Sequence, residues 1–496
     1  MLFSSMFFLW VFLPVVLIAN FILSIVNFEN ERKRIKAKNI LLLISSLFFY
    51  AWGGVYYLLI MLSTIMINYT GGFLLASRDK RLQNKKLVLG GIIAVNLGVL
   101  FFFKYFNMLV VIIESFMNSE NGIKGIFSSM ISMEGTGALG FKEIVLPIGI
   151  SFFTFQAMSY VIDLYRGKAK LQVNLADFAL YVSLFPQLIA GPIVRYSDIE
   201  LQLKRRTDNA KALFIGQRYF CYGLGKKILI ANTFAEIADS IWAMETESIG
   251  CSLAWLAALS YTIQIYYDFS GYSDMAIGLG YMFGFKFKKN FDYPYTSLSV
   301  QEFWRRWHIS LSTWFKEYVY IPLGGNRKGL ARTCINVFIV FLLTGIWHGA
   351  NFTFIAWGLF YAVLLIAERL FLGKILEKNP VKLINRIYTL MAVIIGWVYF
   401  RSDNIFEANK FIGQMFSFDN GGNTVFTYLS FKVIILGIIA LIFSGFVQRG
   451  LSETYLKVRN RTSFVIADYA FQYIILFMSV GMIISGTYNP FIYFQF

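Results

Sequence analysis

Apolar runs of about 20 residues, enough for a helix to cross a bilayer core, recur from one end of the sequence to the other. Hydrophobic residues make up 57% of the 496 residues, and charged residues only 15%. A soluble domain would not carry so many apolar runs of this length. We therefore predict an all-α polytopic protein of a cell membrane, in contact with lipid, with about 11 spans plus re-entrant or interfacial helices.

Basic residues are concentrated in short loops between the apolar runs. This distribution is typical of cytoplasmic loops, so the net charge of +17 does not indicate a nucleic-acid partner. The segment 118–142 carries few net charges and is predicted to lie outside. The predicted cytoplasmic loops are 29–38, 77–86, 166–170, 204–206, 286–289, 374–386 and 449–461.

The sequence shows no metal-ligand spacing and no disulfide framework. Cys221, Cys251 and Cys334 are scattered and odd in number. We expect no metal and no bound cofactor. Without repeats or low-complexity linkers, residues 1–496 are predicted to form a single membrane domain. Its expected parts are N-terminal spans (1–142), a catalytic core (143–370) and C-terminal spans (371–496).

Two apolar segments contain features that are costly inside a membrane. The run Phe178–Val194 is broken by proline and glycine, which predicts a re-entrant or broken element that is buried in protein or lines a cavity. A second run carries Gln264 and Asp268. These polar side chains either hydrogen-bond between spans or line a reaction chamber, and both explanations stay open.

The sequence has only two histidines, and each follows a tryptophan: Trp307-His308 and Trp347-His348. Histidine changes charge near neutral pH and so suits acid–base catalysis. The alternative is a hydrogen-bonded packing role. His348 lies in an apolar run, where ionisable residues are usually functional. Thr344 and Asn351 share its predicted helical face and are candidates to fix its tautomer.

Residues 303–318 fit an amphipathic helix at the membrane interface, with His308 at the edge of the apolar face. An interfacial anchor without catalytic function fits the same pattern. A basic loop follows, in which two glycines precede Arg327 and Lys328 and could form an anion-binding nest. The predicted apolar face consists of Trp304, Trp307, Leu311, Trp314, Phe315 and Tyr318.

An ordered set of segments resembles the membrane-bound O-acyltransferase family, in particular its alginate-acetylating bacterial branch. A Trp-His pair alone would be unspecific, but the whole set is specific and covers most of the chain beyond the first spans. The segments are Leu146–Gly167, Phe185–Tyr196, Tyr266–Gly278, Asn290–Gly329, Trp347–Ala350, Tyr399–Arg401 and Pro490–Phe496.

The resemblance implies a multi-helix assembly around a central funnel. His348 corresponds to the family's invariant histidine, and His308 to its second conserved position. Members of this branch move an acetyl group from a cytoplasmic donor, acetyl-CoA, towards an extracytoplasmic polysaccharide. A separate extracytoplasmic acetyltransferase, similar to SGNH hydrolases, often completes the transfer, so we expect such a partner here.

On this basis we expect His348 to act as general base on an acceptor hydroxyl that attacks the donor thioester. His308 would hydrogen-bond the thioester carbonyl, orient it or relay a proton. The remaining candidate substrate-binding residues are the neighbouring tryptophans and polar groups, Trp347, Trp307, Thr344, Asn351, Gln264 and Asp268. The candidates for the donor's phosphates are Lys316, Arg327, Lys328 and Arg332.

Two alternatives remain at this point. A related membrane protein transfers D-alanine to teichoic acid from a carrier protein that bears phosphopantetheine. A non-enzymatic transporter of glycan or lipid is the third possibility. A transporter would have no need for two histidines embedded in motifs, and the long C-terminal part from Ile387 favours the acetylating branch.

Overall fold

The computed structural model describes residues 1–77, 84–117, 144–189, 191–418, 424–447, 457, 461–486 and 488–490. Within these ranges all regular secondary structure is helical, which confirms the predicted all-α class. The predicted outer segment 118–142, most of the predicted loop 449–461 and the terminal residues 491–496 lie outside the described residues.

The N-terminal half contains α-helices and π-helical turns. A π-helical turn precedes α1, and another joins α9 to α10. The helices are α1 (Leu13–Ile25), α2 (Glu31–Ala51), α3 (Val55–Ala76), α4 (Lys85–Met117), α5 (Ile150–Tyr165), α6 (Leu175–Ser183), α7 (Phe185–Leu188), α8 (Tyr196–Lys204), α9 (Ala210–Gly225) and α10 (Asn232–Trp242).

The second half begins with a long helix and continues through two short helices that flank the first histidine. The helices are α11 (Cys251–Met282), α12 (Val300–Arg306), α13 (Ile309–Phe315), α14 (Gly329–His348), α15 (Phe352–Ala367), α16 (Gly373–Lys378), α17 (Lys382–Arg401), α18 (Ile405–Met415), α19 (Phe431–Leu441) and α20 (Thr462–Ile484).

Polar residues at helix N-caps explain where many of these helices begin. A side-chain oxygen at the cap accepts a hydrogen bond from a backbone N–H of the first turn, which would otherwise have no partner. Side chains with this role are Asn30, Asn174, Asn209, Ser299, Asn351, Asn404 and Ser430.

Seven helical stretches among the described residues are long and apolar enough to cross a membrane. The protein is therefore polytopic, although the predicted number of about 11 spans is not confirmed. The stretches are Phe8–Ile25, Val55–Ala76, Lys85–Glu114, Gly329–His348, Phe352–Lys378, Lys382–Arg401 and Thr462–Ile484.

The segment interrupted by proline and glycine is broken, as predicted. Helix α6 ends at Ser183, and α7 begins at Phe185, with Pro186 in its first turn. The side chains from Phe178 to Leu188 are buried in the protein. Irregular backbone here is therefore shielded from lipid, which is the condition for tolerating it at membrane depth.

Helices α9 and α11 cross in close contact through two pairs of glycines. A β-carbon on Gly278 would lie 2.5 Å from the carbonyl oxygen of Gly216, and one on Gly223 would lie 2.5 Å from that of Gly271. The pairs follow opposite chain directions, so the helices are antiparallel. Small residues permit such backbone contact between helices that lack a hydrophobic driving force in lipid.

Helix α11 contributes to two hydrophobic clusters. Its N-terminal part, including Phe269, belongs to a cluster with Trp307, Trp357 and Trp397. Its C-terminal part belongs to a larger cluster that includes Trp347. The two histidines lie where these clusters meet, because each imidazole contacts aromatic rings from both.

Gly278→Val should destabilise the crossing of α9 and α11, because the added side chain collides with backbone that cannot rotate away. Overpacking of this kind costs about 1–3 kcal/mol or more. Thermal unfolding of the purified protein in detergent should show a lower midpoint. Gly90→Val on α4 is the matched control, since a β-carbon there meets nothing within 4 Å; equal midpoints for the two variants would contradict the close crossing.

Candidate active site

His308 lies in a turn between two short helices. The predicted single helix over 303–318 is wrong, because α12 ends at Arg306 and α13 begins at Ile309. His308 itself has left-handed backbone angles (φ 43°, ψ 54°), which are rare for residues other than glycine. The predicted apolar face is buried against protein and is therefore not an interfacial anchor.

The segment that begins at Asn290 holds this turn. The backbone N–H of Ile309 donates to the carbonyl of Asn290 (2.9 Å), and that of Asp292 donates to the carbonyl of Arg306 (3.0 Å). The side-chain oxygen Oδ1 of Asn290 accepts from the N–H of Ser310 (3.1 Å) and lies 3.2 Å from Nδ1 of His308. Asn290 thus bonds to the turn through both backbone and side chain.

The imidazole of His308 is enclosed by aromatic rings. Its ring centroid lies 4.6 Å from that of Phe269, 6.3 Å from that of Trp347 and 6.5 Å from that of Phe152. Only 1% of the residue is exposed. His308 lies outside the seven candidate membrane spans. Burial lowers the pKa of His308 to about 3, so the ring is neutral at physiological pH.

His348 is the last residue of α14, which continues unbroken through Gly345. Its imidazole is buried and packs edge-on against aromatic rings. The centroid distances are 4.9 Å to Trp347, 4.9 Å to Trp357 and 5.0 Å to Phe400. The end of the helix therefore places this histidine in an aromatic enclosure similar to that of His308.

Trp347 contacts both histidines. It is buried, and its indole Nε1 has no hydrogen-bond partner among the described residues. Nε2 of His308 is likewise buried without a partner in the part of the chain that the structure describes. Unpaired buried polar atoms are costly. Two buried polar atoms without described partners, one on this indole and one on the neighbouring imidazole, indicate a site for a polar reactant.

Lys104 of α4 reaches the end of the helix that carries His348. Its ammonium donates to the backbone carbonyl of Trp347 and lies 5.6 Å from the indole centroid. The side chain is buried. A cation next to the last carbonyls of a helix is favourable, because these carbonyls carry partial negative charge. Lys104 therefore fixes the position of Trp347 and of the helix end.

The polar neighbours predicted for His348 form their hydrogen bonds elsewhere. The hydroxyl of Thr344 donates to the carbonyl of Val340 (2.7 Å). The amide nitrogen of Asn351 donates to the carbonyl of Asp403 (2.6 Å), and its amide oxygen caps α15. Neither of these bonds involves the imidazole, and the role of Thr344 and Asn351 in fixing its tautomer stays a prediction.

Helix α11 places its two predicted residues differently. Asp268 forms a buried ion pair with Lys227 (2.7 Å), whose ammonium also donates to the carbonyl of Pro490. This pair links α11, the π-helical turn after α9 and the C-terminal segment. Such a link is expected if Asp268 connects helices and does not line a reaction chamber. Gln264 is buried, and its amide oxygen has no partner within the described ranges.

Trp307, the tryptophan that precedes His308, makes its closest ring contacts in the hydrophobic core. It packs on Trp397 (4.8 Å between ring centroids) and Phe291 (5.0 Å) in the core beneath the turn. This placement supports the turn that holds His308.

The predicted phosphate-binding residues separate into two groups. Lys316 lines a pocket of about 630 Å³ together with Arg166, Lys168 and Glu317, and Glu317 pairs with Arg195. Arg327 and Lys328 lie exposed in the loop beyond this pocket, while Arg332 donates to the carbonyl of Leu323. The pocket thus gathers one predicted cation and two that sequence reasoning missed.

Several residues of the site were not identified from the sequence. Lys104 carried a usable signal, since a charged residue within an apolar run is functional by default. Asn290 begins one of the segments that resemble the family, but the sequence alone indicated no role for its side chain. Phe152 and Phe269 gave no signal, because an aromatic residue in an apolar segment is ordinary core.

The chain matches a known protein family and is similar over most of its length to named bacterial proteins. Residues 166–402 match the model described as "MBOAT, membrane-bound O-acyltransferase family". The chain is 39% identical over 521 residues to the "Probable alginate O-acetylase AlgI" of Pseudomonas putida, with 100% of each chain covered. It is 42% identical to the protein of the same name from Pseudomonas aeruginosa (90% of this chain, 82% of the relative).

A third relative has a different printed name. The "Peptidoglycan O-acetyltransferase" of Helicobacter pylori is 35% identical over 445 residues, which cover 84% of this chain and 80% of the relative. Both histidines lie inside the segment matched by the family model.

Lys104→Met should loosen the end of α14, because the carbonyl of Trp347 loses a charged donor worth about 1.5–3 kcal/mol. Peptides that cover 344–351 should exchange amide hydrogens roughly tenfold or more faster than in the wild type. Hydrogen–deuterium exchange with mass spectrometry measures this directly. Lys85→Met, at the exposed start of α4, the helix that carries Lys104, serves as control, and unchanged exchange in both variants would refute the role of Lys104.

Proposed function

Because the chain belongs to the membrane-bound O-acyltransferase family, we propose that it passes acetyl groups from cytoplasmic acetyl-CoA across the membrane for O-acetylation of an extracytoplasmic polysaccharide. The chain is an O-acyltransferase and a multi-pass bacterial membrane protein. Relatives named for alginate and for peptidoglycan acetylation support a polysaccharide as the final acceptor.

The observation that carries this proposal is the arrangement along helix α5. Near its start, Phe155 stacks on Trp314 (3.8 Å between ring centroids) and lies 5.6 Å from Trp347. At its C-terminal end, Arg166 lines the basic pocket. From Phe155 to Arg166 the helix rises about 16 Å.

A donor with its thioester on a long flexible arm suits this spacing. The phosphates of CoA would bind in the pocket, where Arg166, Lys168 and Lys316 supply positive charge. The arm would follow α5, and the thioester would reach the aromatic enclosure around Trp347. Only the reactive end of the donor would then be removed from water.

At this end we propose that His348 acts as general base. It takes the proton of an acceptor hydroxyl while the hydroxyl oxygen attacks the thioester carbon, and the C–S bond then breaks. The proton passes to the departing thiolate, so that CoA leaves as the free thiol. The surrounding rings exclude water, which would otherwise hydrolyse the thioester.

A second protein would complete the transfer on the outer side. We propose an extracytoplasmic acetyltransferase similar to SGNH hydrolases, which passes the acetyl group from the ester formed on that acceptor to a hydroxyl of the polysaccharide and so releases the acceptor hydroxyl again.

The D-alanyl alternative would use the same enclosure and the same pocket, with phosphopantetheine on a carrier protein in place of free CoA. Because the chain is an O-acyltransferase, the non-enzymatic transporter is no longer a competing interpretation. The choice of donor is a matter for experiment.

His348→Gln should abolish acetyl transfer, with a loss of roughly 10²–10⁴-fold, because glutamine keeps the shape of the side chain but cannot accept a proton. Purified protein in nanodiscs, supplied with radiolabelled acetyl-CoA, would be followed for histidine-dependent loss of thioester. Retained turnover in this variant would contradict the assigned base. Turnover only with a D-alanylated carrier protein would replace acetyl-CoA as the donor.

Lys316→Ala should raise the KM for acetyl-CoA several-fold with little effect on kcat, since the side chain lies in the pocket and away from the reacting atoms. High salt should weaken the effect by screening. Lys211→Ala, an exposed residue at the start of α9, is the control. A matching rise of KM in Lys328→Ala but not in Lys316→Ala would move the phosphate site to the following loop.

A further inference from the structure

We propose that Asn290 and Ser310 are positioning residues that hold His308 in a single tautomer, protonated at Nδ1, and that its Nε2 therefore accepts a hydrogen bond from a hydroxyl or water in the site. The link to substrate rests on the proposed function, whereas the tautomer itself does not. The orientation of the Asn290 amide determines which nitrogen of the imidazole carries the proton.

The backbone of Ser310 fixes the orientation of the Asn290 amide. The N–H of Ser310 is always a donor, and it lies 3.1 Å from Oδ1 of Asn290. If the amide were reversed, two donors would face each other at this distance. The hydroxyl of Ser310 agrees with this orientation: it accepts from the N–H of Ile193 (3.0 Å) and donates to Oδ1 (2.9 Å).

The position of the imidazole proton follows from this orientation. Nδ1 of His308 lies 3.2 Å from the same Oδ1, which can only accept. The hydroxyl of Ser310 lies 3.5 Å from Nδ1 but 2.9 Å from Oδ1, so its proton goes to Oδ1. An unprotonated Nδ1 would then place two lone pairs against each other in a buried site. Nδ1 therefore carries the proton of the neutral ring and donates to Asn290, and Nε2 carries the lone pair.

The atom left available is Nε2, which is buried without a partner among the described residues. A neutral ring in this tautomer cannot donate a hydrogen bond to a thioester carbonyl from Nε2. The sequence-based expectation of carbonyl binding is therefore replaced by an acceptor role. The neighbouring donor without a described partner is the indole N–H of Trp347, so a protic group at Nε2 and a carbonyl at Trp347 would each meet a suitable partner.

The presence of only two histidines makes the tautomer directly measurable. Protein purified with a tag that contains no histidine, labelled with ¹⁵N-histidine and carrying His348→Gln, holds a single imidazole. Nitrogen chemical shifts distinguish a protonated from an unprotonated ring nitrogen. We expect a protonated Nδ1 and an unprotonated Nε2; a protonated Nε2 in otherwise wild-type surroundings would overturn the proposal.

Variants at position 290 test the cause. Asn290→Ala removes the acceptor and should shift the ring towards the other tautomer. In the protein that retains His348, it should lower kcat by roughly 10²-fold while KM changes little. Asn290→Asp keeps an acceptor and should preserve the tautomer and most activity. Its carboxylate raises the pKa of His308, so activity should be lost at a higher pH during acidification than in the wild type.

Asn68→Ala is the control for simple loss of a buried amide. Asn68 is fully buried on α3 and exchanges hydrogen bonds with Asn96 (2.7 and 3.1 Å). It should lower thermal stability without changing the tautomer. Equal kinetic losses in Asn290→Ala and Asn290→Asp, with an unchanged tautomer in both, would show a structural role only and refute the positioning role. If no acyl transfer were found at all, the proposed function would fail, while the nitrogen shifts would still decide the tautomer.

Discussion

The pairing of Asn290 with the turn at His308 is the constraint on which the site depends. A residue other than glycine in the left-handed region costs about 1–2 kcal/mol, and His308 has φ 43°. The hydrogen bonds that the backbone and side-chain oxygens of Asn290 accept from the N–H groups of Ile309 and Ser310 offset this cost. A continuous helix would leave the imidazole at the edge of a regular face. The turn instead directs it between Phe269 and Phe152.

The site around Trp347 is buried and lined by aromatic rings. In such surroundings an electrostatic interaction is screened far less than in water. The ammonium of Lys104 at the C-terminal end of α14 therefore has a strong local effect on the position of that helix end. Since His348 is the next residue after the carbonyl that Lys104 binds, the position of the proposed base depends on a residue of α4.

The sequence was sufficient for the fold class because apolar length and charge distribution are properties of single segments. The break before Phe185 followed from proline and glycine chemistry in the same way. The predicted helix over 303–318 was wrong because helical periodicity shows which residues share a face but does not show that the helix is unbroken. Contacts with Asn290 and Asp292, which lie before this stretch in the sequence, hold the turn that interrupts the helix at His308. The basic pocket was only partly predictable for a similar reason: Arg166 and Lys316 come together through the packing of α5 against the segment after α13.

The placement of the two histidines matches the direction of the proposed transfer. His308 precedes α13, and the chain then continues into Lys316 and the basic pocket, on the side that the charge pattern predicts to be cytoplasmic. His348 ends a helix that begins after the basic loop, and the neighbouring Asn351 bonds to the carbonyl of Asp403. Asp403 follows α17, a candidate span that begins at the predicted cytoplasmic loop 374–386, so this end of the site faces the opposite side. The indole of Trp347 contacts both imidazoles. A donor from the cytoplasm would therefore meet His308 first, and an acceptor from outside would meet His348 first, so the transfer would take place beside Trp347 without either substrate crossing the membrane.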